Sequence, residues 1–437
     1  MASVNPPRGM RDFLPVDKAR RERVLAVIRE RYRAHGFDEI ETPVMEDYAR
    51  LHAGIGGDNE KLAFTVLKRG LDADTVRAAA QDPVDVAALA DLGLRYDLTV
   101  PLARFYATHR AELPTVFRAI QMAPVWRAER PQKGRYRQFV QCDIDIIGDA
   151  SSRAEAELVV ASLDTLDALG LEGGMVRIND RRVLDWMLES FGFAAEDRPG
   201  VLITIDKLDK IGPDGVVEEL RARDADASAV DALRAFLLRP RTLEYNPYGE
   251  RQIRAALPSD APDEIVAHLV GIGEAVRAAR AEEVAASPLG DIPLVFDPFL
   301  VRGMGYYTGT IFELAHPSVD YSLGGGGRYD GMIGRFLAQS VPAVGFSIGF
   351  ERIVDLLTSE AADAAPAVVL VHDRDVPTGQ LLALKSALVA EGSRVRLEQR
   401  TKNLKALLER AASDGYTAFA TVSADTTRAA LDLKPLA

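Results

Sequence analysis

Two strand-like runs, 115–128 and 137–147, flank the most highly charged turn in the chain. Residues 127–137 read Arg-Ala-Glu-Arg-Pro-Gln-Lys-Gly-Arg-Tyr-Arg, five basic side chains and one acid. Apolar runs joined by a short Pro- and Gly-containing turn pair as an antiparallel hairpin, so this region predicts a long hairpin with a charged tip. The tip is either a solvated surface turn or an anion-binding element. Arg127 and Glu129 share one strand face by two-residue alternation, as do Arg135 and Arg137. Strand faces entering a core seldom keep unpaired charge. The guanidinium fork suits phosphate and nucleic acid, and Phe139 adds a flat face for stacking.

Further along the same run, Gln141, Asp143 and Asp145 point to one face while Cys142 and Ile144 point to the other. Phe139, Val140, Ile146 and Ile147 make this a buried strand, and buried carboxylates need partners. That pattern predicts a polar pocket. In Leu94-Arg-Tyr-Asp-Leu-Thr-Val-Pro101, Asp97 and Thr99 lie two apart at a strand end. They are either a helix cap or a carboxylate and hydroxyl aimed at an ammonium group. Arg302 sits in an apolar stretch, Val301 to Glu313, beside Gly303 and Gly305 and before Tyr306 and Tyr307; an arginine there must find an anion. The glycine run of Leu323 to Asp330 fits neither the phosphate-loop nor the dinucleotide spacing. Val344 to Ile353 reads as strand, glycine and helix start, with Arg352 in the first helical turn. A cation there opposes the helix dipole, which predicts an anionic ligand or acidic neighbour.

Around these motifs the periodicity predicts an amphipathic helix at 17–34 through Val24, Leu25, Ile28 and Tyr32, then a strand at 38–41. Residues 72–91 read as a helical connection, 92–97 as a strand, 99–111 as a helix and 151–169 as a helix capped by Ser151 or Ser152. A strand at 175–179 and a helix at 181–191 follow. Residues 196–288 carry Ala, Asp, Glu and Leu in helical periods and predict an inserted helical subdomain; strand character returns at 293–315. The expected division is a first catalytic part at 1–195, the insertion at 196–288, a second catalytic part at 289–357, a linker at 358–366 and a small domain at 367–437. In that last domain, strands at 367–371, 394–397 and 417–422 alternate with helices at 376–391 and 402–413, an α/β pattern with a partly parallel sheet.

Composition excludes several classes. With 47% hydrophobic and 27% charged residues over 437 positions, wholesale disorder is excluded. Cys142 is the single cysteine, which rules out an intrachain disulfide and a cysteine zinc site. Six scattered histidines form no H-E-x-x-H pair. No apolar run near 18 residues predicts a membrane span, and the polar, Pro-rich start lacks a signal-peptide core; the expected compartment is the cytoplasm. The net charge of −12 weighs against nucleic acid, yet residues 366–437 carry ten Lys and Arg against eight Asp and Glu, so local patches decide. Arg394, Arg396, Arg400, Lys402, Lys405 and Arg410 are either an RNA contact or a solvated face.

Together the motifs resemble those of class II aminoacyl-tRNA synthetases, specifically the histidyl-tRNA synthetase family. Pro7 to Pro15 looks like the family's N-terminus, Gly36 to Pro43 like motif 1, 117–145 like motif 2, Arg302 to Glu313 like the histidine motif and 344–353 like motif 3. The resemblance implies an α+β fold, an antiparallel sheet flanked by helices with a helical insertion and a C-terminal anticodon-binding-like α/β domain. It implies an ATP-dependent ligase acting through histidyl-adenylate, with L-histidine, ATP with Mg2+ and tRNA(His) as partners and a homodimer formed through motif 1. Position by position, it implies that Arg127 binds the α-phosphate and the histidine carboxylate, Glu129 meets the adenine, Phe139 stacks on it and Arg352 grips the γ-phosphate. Asp97, Thr99 and Gln141 would hold the α-amino group, Asp145 and Tyr307 would read the imidazole with Tyr306 beside them, and Arg302 would help activate the carboxylate. Arg130, Gln132 and Arg135 would meet the tRNA acceptor end. No magnesium ligand is assigned, with Glu129 as a candidate contributor. Gly305 stands where the motif usually has Asp, and Asp97 and Asp145 stand where many bacterial members have Glu. The alternative is a histidine-sensing paralogue, of the type that regulates ATP phosphoribosyltransferase, without aminoacylation.

Overall fold

A computed structural model describes residues 4–52, 62–80, 83–131, 134–239, 248–286, 291–303, 305–337, 339–357 and 366–436. Met1–Arg11 with Val24–Leu357 forms one compact unit, and Asp12–Arg23 with Thr358–Ala437 a second. Among the described residues no helix is long and apolar enough to cross a membrane.

The first unit is built on an eight-stranded sheet. Its strands run in the order Asp38–Glu39, Phe117–Trp126, Gln138–Ile147, Ala343–Gly349, Gly324–Arg328, Thr310–Ala315, Met175–Asp180, Leu294–Phe296. Neighbours are antiparallel except the outermost pair at each edge, which is parallel. The hairpin is present with a longer connection than expected: its strands end at Trp126 and resume at Gln138, so 127–137 lies outside both strands. Pro124 is tolerated because the edge strand pairs only opposite Ala119 and Ile120, leaving no neighbouring strand beside the far end on that side. Two-residue alternation holds along Gln138–Ile147. Cys142, Ile144 and Ile146 enter the main core, where helix Ser152–Ala168 supplies Leu158, Val159 and Leu163 and helix Asp263–Ala279 supplies Leu269, Ile272 and Val276. Ser151 precedes the first of these helices without capping it through its side chain; its hydroxyl donates to Asp149 Oδ1 at 2.7 Å.

Two segments depart from the expected elements. Residues 293–315 are not one strand: Leu294–Phe296 and Thr310–Ala315 are strands, and the described residues between them are irregular. Asp297 Oδ1 accepts the Phe299 amide at 3.0 Å and turns the chain out of the ladder. Arg302 therefore sits on a loop. The helical run 196–288 divides between two cores. Helices Arg198–Ile205, Leu208–Arg221 and Ala227–Leu237 form their own cluster with Leu184, Met187, Phe299 and Leu300, whereas helix Asp263–Ala279 belongs to the main core.

In the second unit, Arg394–Gln399, Ala367–His372 and Ala418–Val422 are parallel strands, with Lys434–Pro435 added antiparallel. Alternate residues of Ala367–His372 enter clusters on opposite faces, Val368 and Leu370 in one and Val369 and Val371 in the other, as a two-sided parallel sheet requires.

Candidate active site

The polar face of the central sheet forms the floor of a cavity of about 810 Å³. The glycine run is a strand of this floor, and its missing side chains make the space. A Cβ on Gly325 would lie 2.9 Å from the Arg302 guanidinium carbon, and one on Gly327 would lie 2.8 Å from Tyr307 Cδ1. On the neighbouring strand a Cβ on Gly345 would lie 1.9 Å from Asp145 Oδ1. Strands without side chains let charged and aromatic groups lie flat against the backbone.

One end of the cavity is acidic. Asp97, Asp143 and Asp145 line it, each at most 5% exposed. Burial pushes the Asp97 carboxyl up to about 6, opposed by the Val100 amide and Arg127. Burial pushes Asp145 up to about 7, opposed by the Tyr329 hydroxyl, which donates to Asp145 Oδ1 at 2.6 Å. Asp143 is pushed well above the usual carboxylate range by burial and then by Asp145. One Asp97 oxygen makes a capping contact and the other is left over. Its Oδ1 accepts the Val100 amide at 3.2 Å near the start of helix Thr99–His109, while its Oδ2 is buried without a partner. The segment carrying it is fixed by Arg95, which donates to the carbonyls of Thr42 at 2.8 Å and Pro124 at 3.0 Å. Gln141 Oε1 is likewise buried and unpartnered. The Tyr306 hydroxyl hydrogen-bonds both Thr99 and Tyr307. Buried carboxyls this close cannot all ionise unless a cation joins them, so this end favours a cationic guest.

The other end is cationic. Arg127, Arg135, Arg302 and Arg352 line it. Arg127 Nε donates to the Tyr96 carbonyl at 2.9 Å, and its guanidinium carbon lies 5.0 Å from the centre of the Phe139 ring. Arg302 does find an anion: its Nη1 donates to Glu313 Oε2 at 3.1 Å, while Arg177 holds the other oxygen of Glu313 at 2.7 Å. Arg352 donates to the Ser322 carbonyl and stands 5.5 Å from the Tyr321 ring centre. Burial and then the nearby Arg135 and Arg302 charges push its pKa down. Among the described residues no carboxylate pairs with Arg127 or Arg352. Convergent guanidinium groups without acid partners make an anion site.

Every site residue expected from sequence lines this cavity except two. Arg130 is exposed on the turn and outside the lining, and Gln132 lies outside the described residues. Glu129 and Arg135 face each other across the turn at 3.5 Å. Arg137 points elsewhere, its Nε donating to the Glu129 carbonyl, because the strand assumed to include it begins only at Gln138. Sequence reasoning gave no role to Tyr329, Ser347, Glu313, Tyr321, or the Asp206, Asp209 and Lys210 side chains that the helical run contributes to the lining. Ser347 carried a usable signal, a lone hydroxyl in an apolar strand run. The others depend on distant strands meeting.

The sequence model of the family described as "Histidyl-tRNA synthetase" matches residues 9–353. A curated relative from Leifsonia xyli subsp. xyli, described as histidine–tRNA ligase, is 59% identical over 444 residues, covering 100% of this chain and 99% of its own. The chain belongs to the histidyl-tRNA synthetase family. A solved structure of histidyl-tRNA synthetase from Nostoc sp. PCC 7120 matches with TM-score 0.76 at 25% identity, covering 100% of this chain and 95% of that one. Another, from Bacillus halodurans, is described as an ATP phosphoribosyltransferase regulatory subunit/histidyl-tRNA synthetase. It matches with TM-score 0.73 at 20% identity over 97% of this chain and 99% of that one, a likeness that speaks to fold alone.

The N-terminal segment braces the cationic end of this family member. Arg11 pairs with the buried Glu351 at 2.5 Å and its guanidinium carbon stands 3.5 Å from the Tyr136 ring centre. The Gly9 carbonyl accepts the Arg137 amide at 2.8 Å. Glu351 Oε1 also accepts the Val140 amide at 3.2 Å, next to Phe139. Replacing Arg11 with alanine removes this cation from the buried Glu351. The expected result is a KM for ATP raised about tenfold with a smaller change in KM for histidine, measured by pyrophosphate exchange.

Proposed function

We propose that the chain joins L-histidine to tRNA(His) in two steps. The histidine carboxylate attacks the ATP α-phosphorus, giving histidyl-adenylate and releasing pyrophosphate. A hydroxyl of the tRNA 3′-terminal ribose then attacks the acyl carbon and releases AMP. The observation that carries this reading is the two-ended cavity. Its acidic end suits an ammonium group, and its arginine end suits a carboxylate beside a triphosphate. Bringing two anions together requires such cationic clamps.

In this reading Asp97, Thr99 and Gln141 receive the α-ammonium, whose protons satisfy the orphaned Asp97 Oδ2 and Gln141 Oε1. Asp145, held by Tyr329, and Tyr307 beside Tyr306 meet the imidazole. A neutral imidazole offers one donor and one acceptor, and a carboxyl with a tyrosine hydroxyl supplies the complement. Arg127 binds the carboxylate and α-phosphate, Arg302 helps to activate the carboxylate, Arg352 grips the γ-phosphate, and Phe139 with Glu129 meets the adenine. Among the described residues no group of three or more His, Cys, Asp or Glu could hold a metal. One or two carboxylates suit magnesium carried in on substrate phosphates, with Glu129 as the candidate ligand; there it would offset triphosphate charge. Arg130, Gln132 and Arg135 meet the tRNA acceptor end.

The second unit contacts the anticodon. Not all of its basic residues are free for RNA: Arg396 pairs with Asp414 at 2.7 Å and, with Arg394, flanks the Tyr416 ring. The enzyme works in the cytoplasm as a homodimer joined near the Asp38–Glu39 edge of the sheet. A histidine-sensing regulator is less favoured, because sensing histidine requires the acidic end but no triphosphate clamp.

The test is histidine-dependent pyrophosphate exchange into ATP across all amino acids, with charging of transcribed tRNA(His) alongside. Exchange with histidine alone, plus charging, is expected. Histidine binding without exchange would overturn the proposal in favour of the regulator.

A further inference from the structure

The acidic end holds one carboxyl more than the proposed roles use. Asp143 lies between Gln141 and Asp145 on the strand face that lines the cavity and is 5% exposed. Its cross-strand neighbours are Gln121 on one side and Ser347 on the other. Gln121 is occupied elsewhere, its amide donating to the Leu98 carbonyl at 2.9 Å. Gln141 is not: its Nε2 donates to both Asp143 oxygens, at 3.3 Å each, and to Ser347 Oγ at 3.1 Å. The Ser347 hydroxyl in turn hydrogen-bonds Asp143.

A side-chain amide is ambivalent. A half-turn exchanges its donor and acceptor with almost no change of shape. Facing an ammonium group, one orientation attracts and the other sets N–H against N–H. A hydroxyl alone cannot choose between them, because it donates or accepts as required. The ammonium group that enters lets the buried carboxyl ionise, and an ionised carboxylate only accepts, so beside it the amide presents its NH2. By taking the serine proton, the carboxylate also turns Ser347 Oγ into a second acceptor for the same NH2. Both outcomes leave Oε1 as the atom of Gln141 without a partner, as found.

We propose that Asp143, directly and through Ser347, fixes the Gln141 amide so that Oε1 accepts from the substrate α-ammonium, and thereby makes the enzyme prefer an amino acid over the same molecule lacking its amino group. Asp143 is a positioning residue acting through Gln141, and the inference rests on the role proposed above for Gln141. An unmet buried acceptor is costly, and the ammonium group removes that cost. The deamino analogue, 3-(imidazolyl)propionate, does not.

The experiment measures dissociation constants for histidine and for 3-(imidazolyl)propionate by calorimetry on the full chain. The variants are Asp143→Asn, Asp143→Ala, Gln141→Ala and the double variant Gln141→Ala with Asp143→Ala. Each single variant is expected to weaken histidine by about tenfold or more and to leave the analogue within about twofold, which also reports an intact fold. The double variant is expected to lose little beyond Gln141→Ala alone, since the two residues act as a unit. Equal weakening of both ligands would reduce Asp143 to a structural role and overturn the proposal. Additive losses would mean that Asp143 meets the ammonium itself, which also overturns it. If Gln141→Ala weakens histidine and the Asp143 variants do not, the inference fails and the role of Gln141 stands. If Gln141→Ala has no effect, both fall.

Discussion

Replacing Arg302 with alanine is expected to lower the rate of histidyl-adenylate formation by about 10²–10³-fold or more while histidine affinity stays within a few fold. The size follows from the reaction. A carboxylate and a phosphate, both anionic, must approach within bonding distance, and charge accumulates on the phosphoryl oxygens as they do. In the proposed reading, Arg302 is held ready for that charge. Glu313 fixes its guanidinium at 3.1 Å, Arg177 fixes Glu313 from the other side, and Gly325 leaves the guanidinium room to lie against the strand. A group oriented before the reaction needs no reorganisation during it. The variant keeps its fold because Glu313 retains Arg177. Arg302→Lys restores charge without the planar fork, so partial recovery is expected. Single-turnover adenylate formation with separate histidine binding isothermals decides the matter; an unchanged adenylate rate would remove Arg302 from the catalytic groups.

The second large effect is expected at Asp145, and it runs in opposite directions for activity and stability. Asp145→Asn should lower kcat/KM for histidine by about 10²–10⁴-fold, because a site built to hydrogen-bond its substrate loses most when that bond is spoiled. Tyr329, which donates to Asp145 at 2.6 Å, loses a charged acceptor as well. The same carboxyl burdens the empty enzyme. Burial raises its pKa to about 7, so the folded protein keeps a proton that the unfolded chain releases near the ordinary carboxylate value. Its contribution to stability is complete below that ordinary value and is lost as pH rises through about 7. At pH 8 the ionised, buried carboxylate therefore lowers stability, and the neutral amide does not. Thermal unfolding of the ligand-free enzyme should show Asp145→Asn with a higher Tm at pH 8 and little gain at pH 4.5. A lower Tm at pH 8 would contradict the assigned shift.

Much of this site is legible along single strands. Alternation along the run 137–147 placed Gln141, Asp143 and Asp145 on one face and Cys142 and Ile144 on the other, and the fold keeps both sets. The same rule failed at Arg137, because it assumed a strand where the ladder has not yet begun. Strand character read over 293–315 is broken by an Asp297 turn, so Arg302 sits on a loop, yet it finds the anion expected of it in Glu313. The helical character of 196–288 was evident in its periodicity, but not that helix Asp263–Ala279 joins the main core while the earlier helices build their own. Periodicity states which face of a helix is apolar; it does not state which neighbour covers that face.

By itself, then, the sequence determined what depends on near neighbours: the antiparallel hairpin, the two-residue alternation that makes a polar strand face, and the stock of arginines and carboxyls. The tertiary structure alone decided which of them meet. Tyr329 reaches Asp145 across 184 positions, and the glycine run becomes the floor of the cavity only because its strand lies between Ala343–Gly349 and Thr310–Ala315. The physical reason is that local geometry repeats with the covalent chain, whereas strand order is settled by whichever packing of distant apolar faces excludes water best.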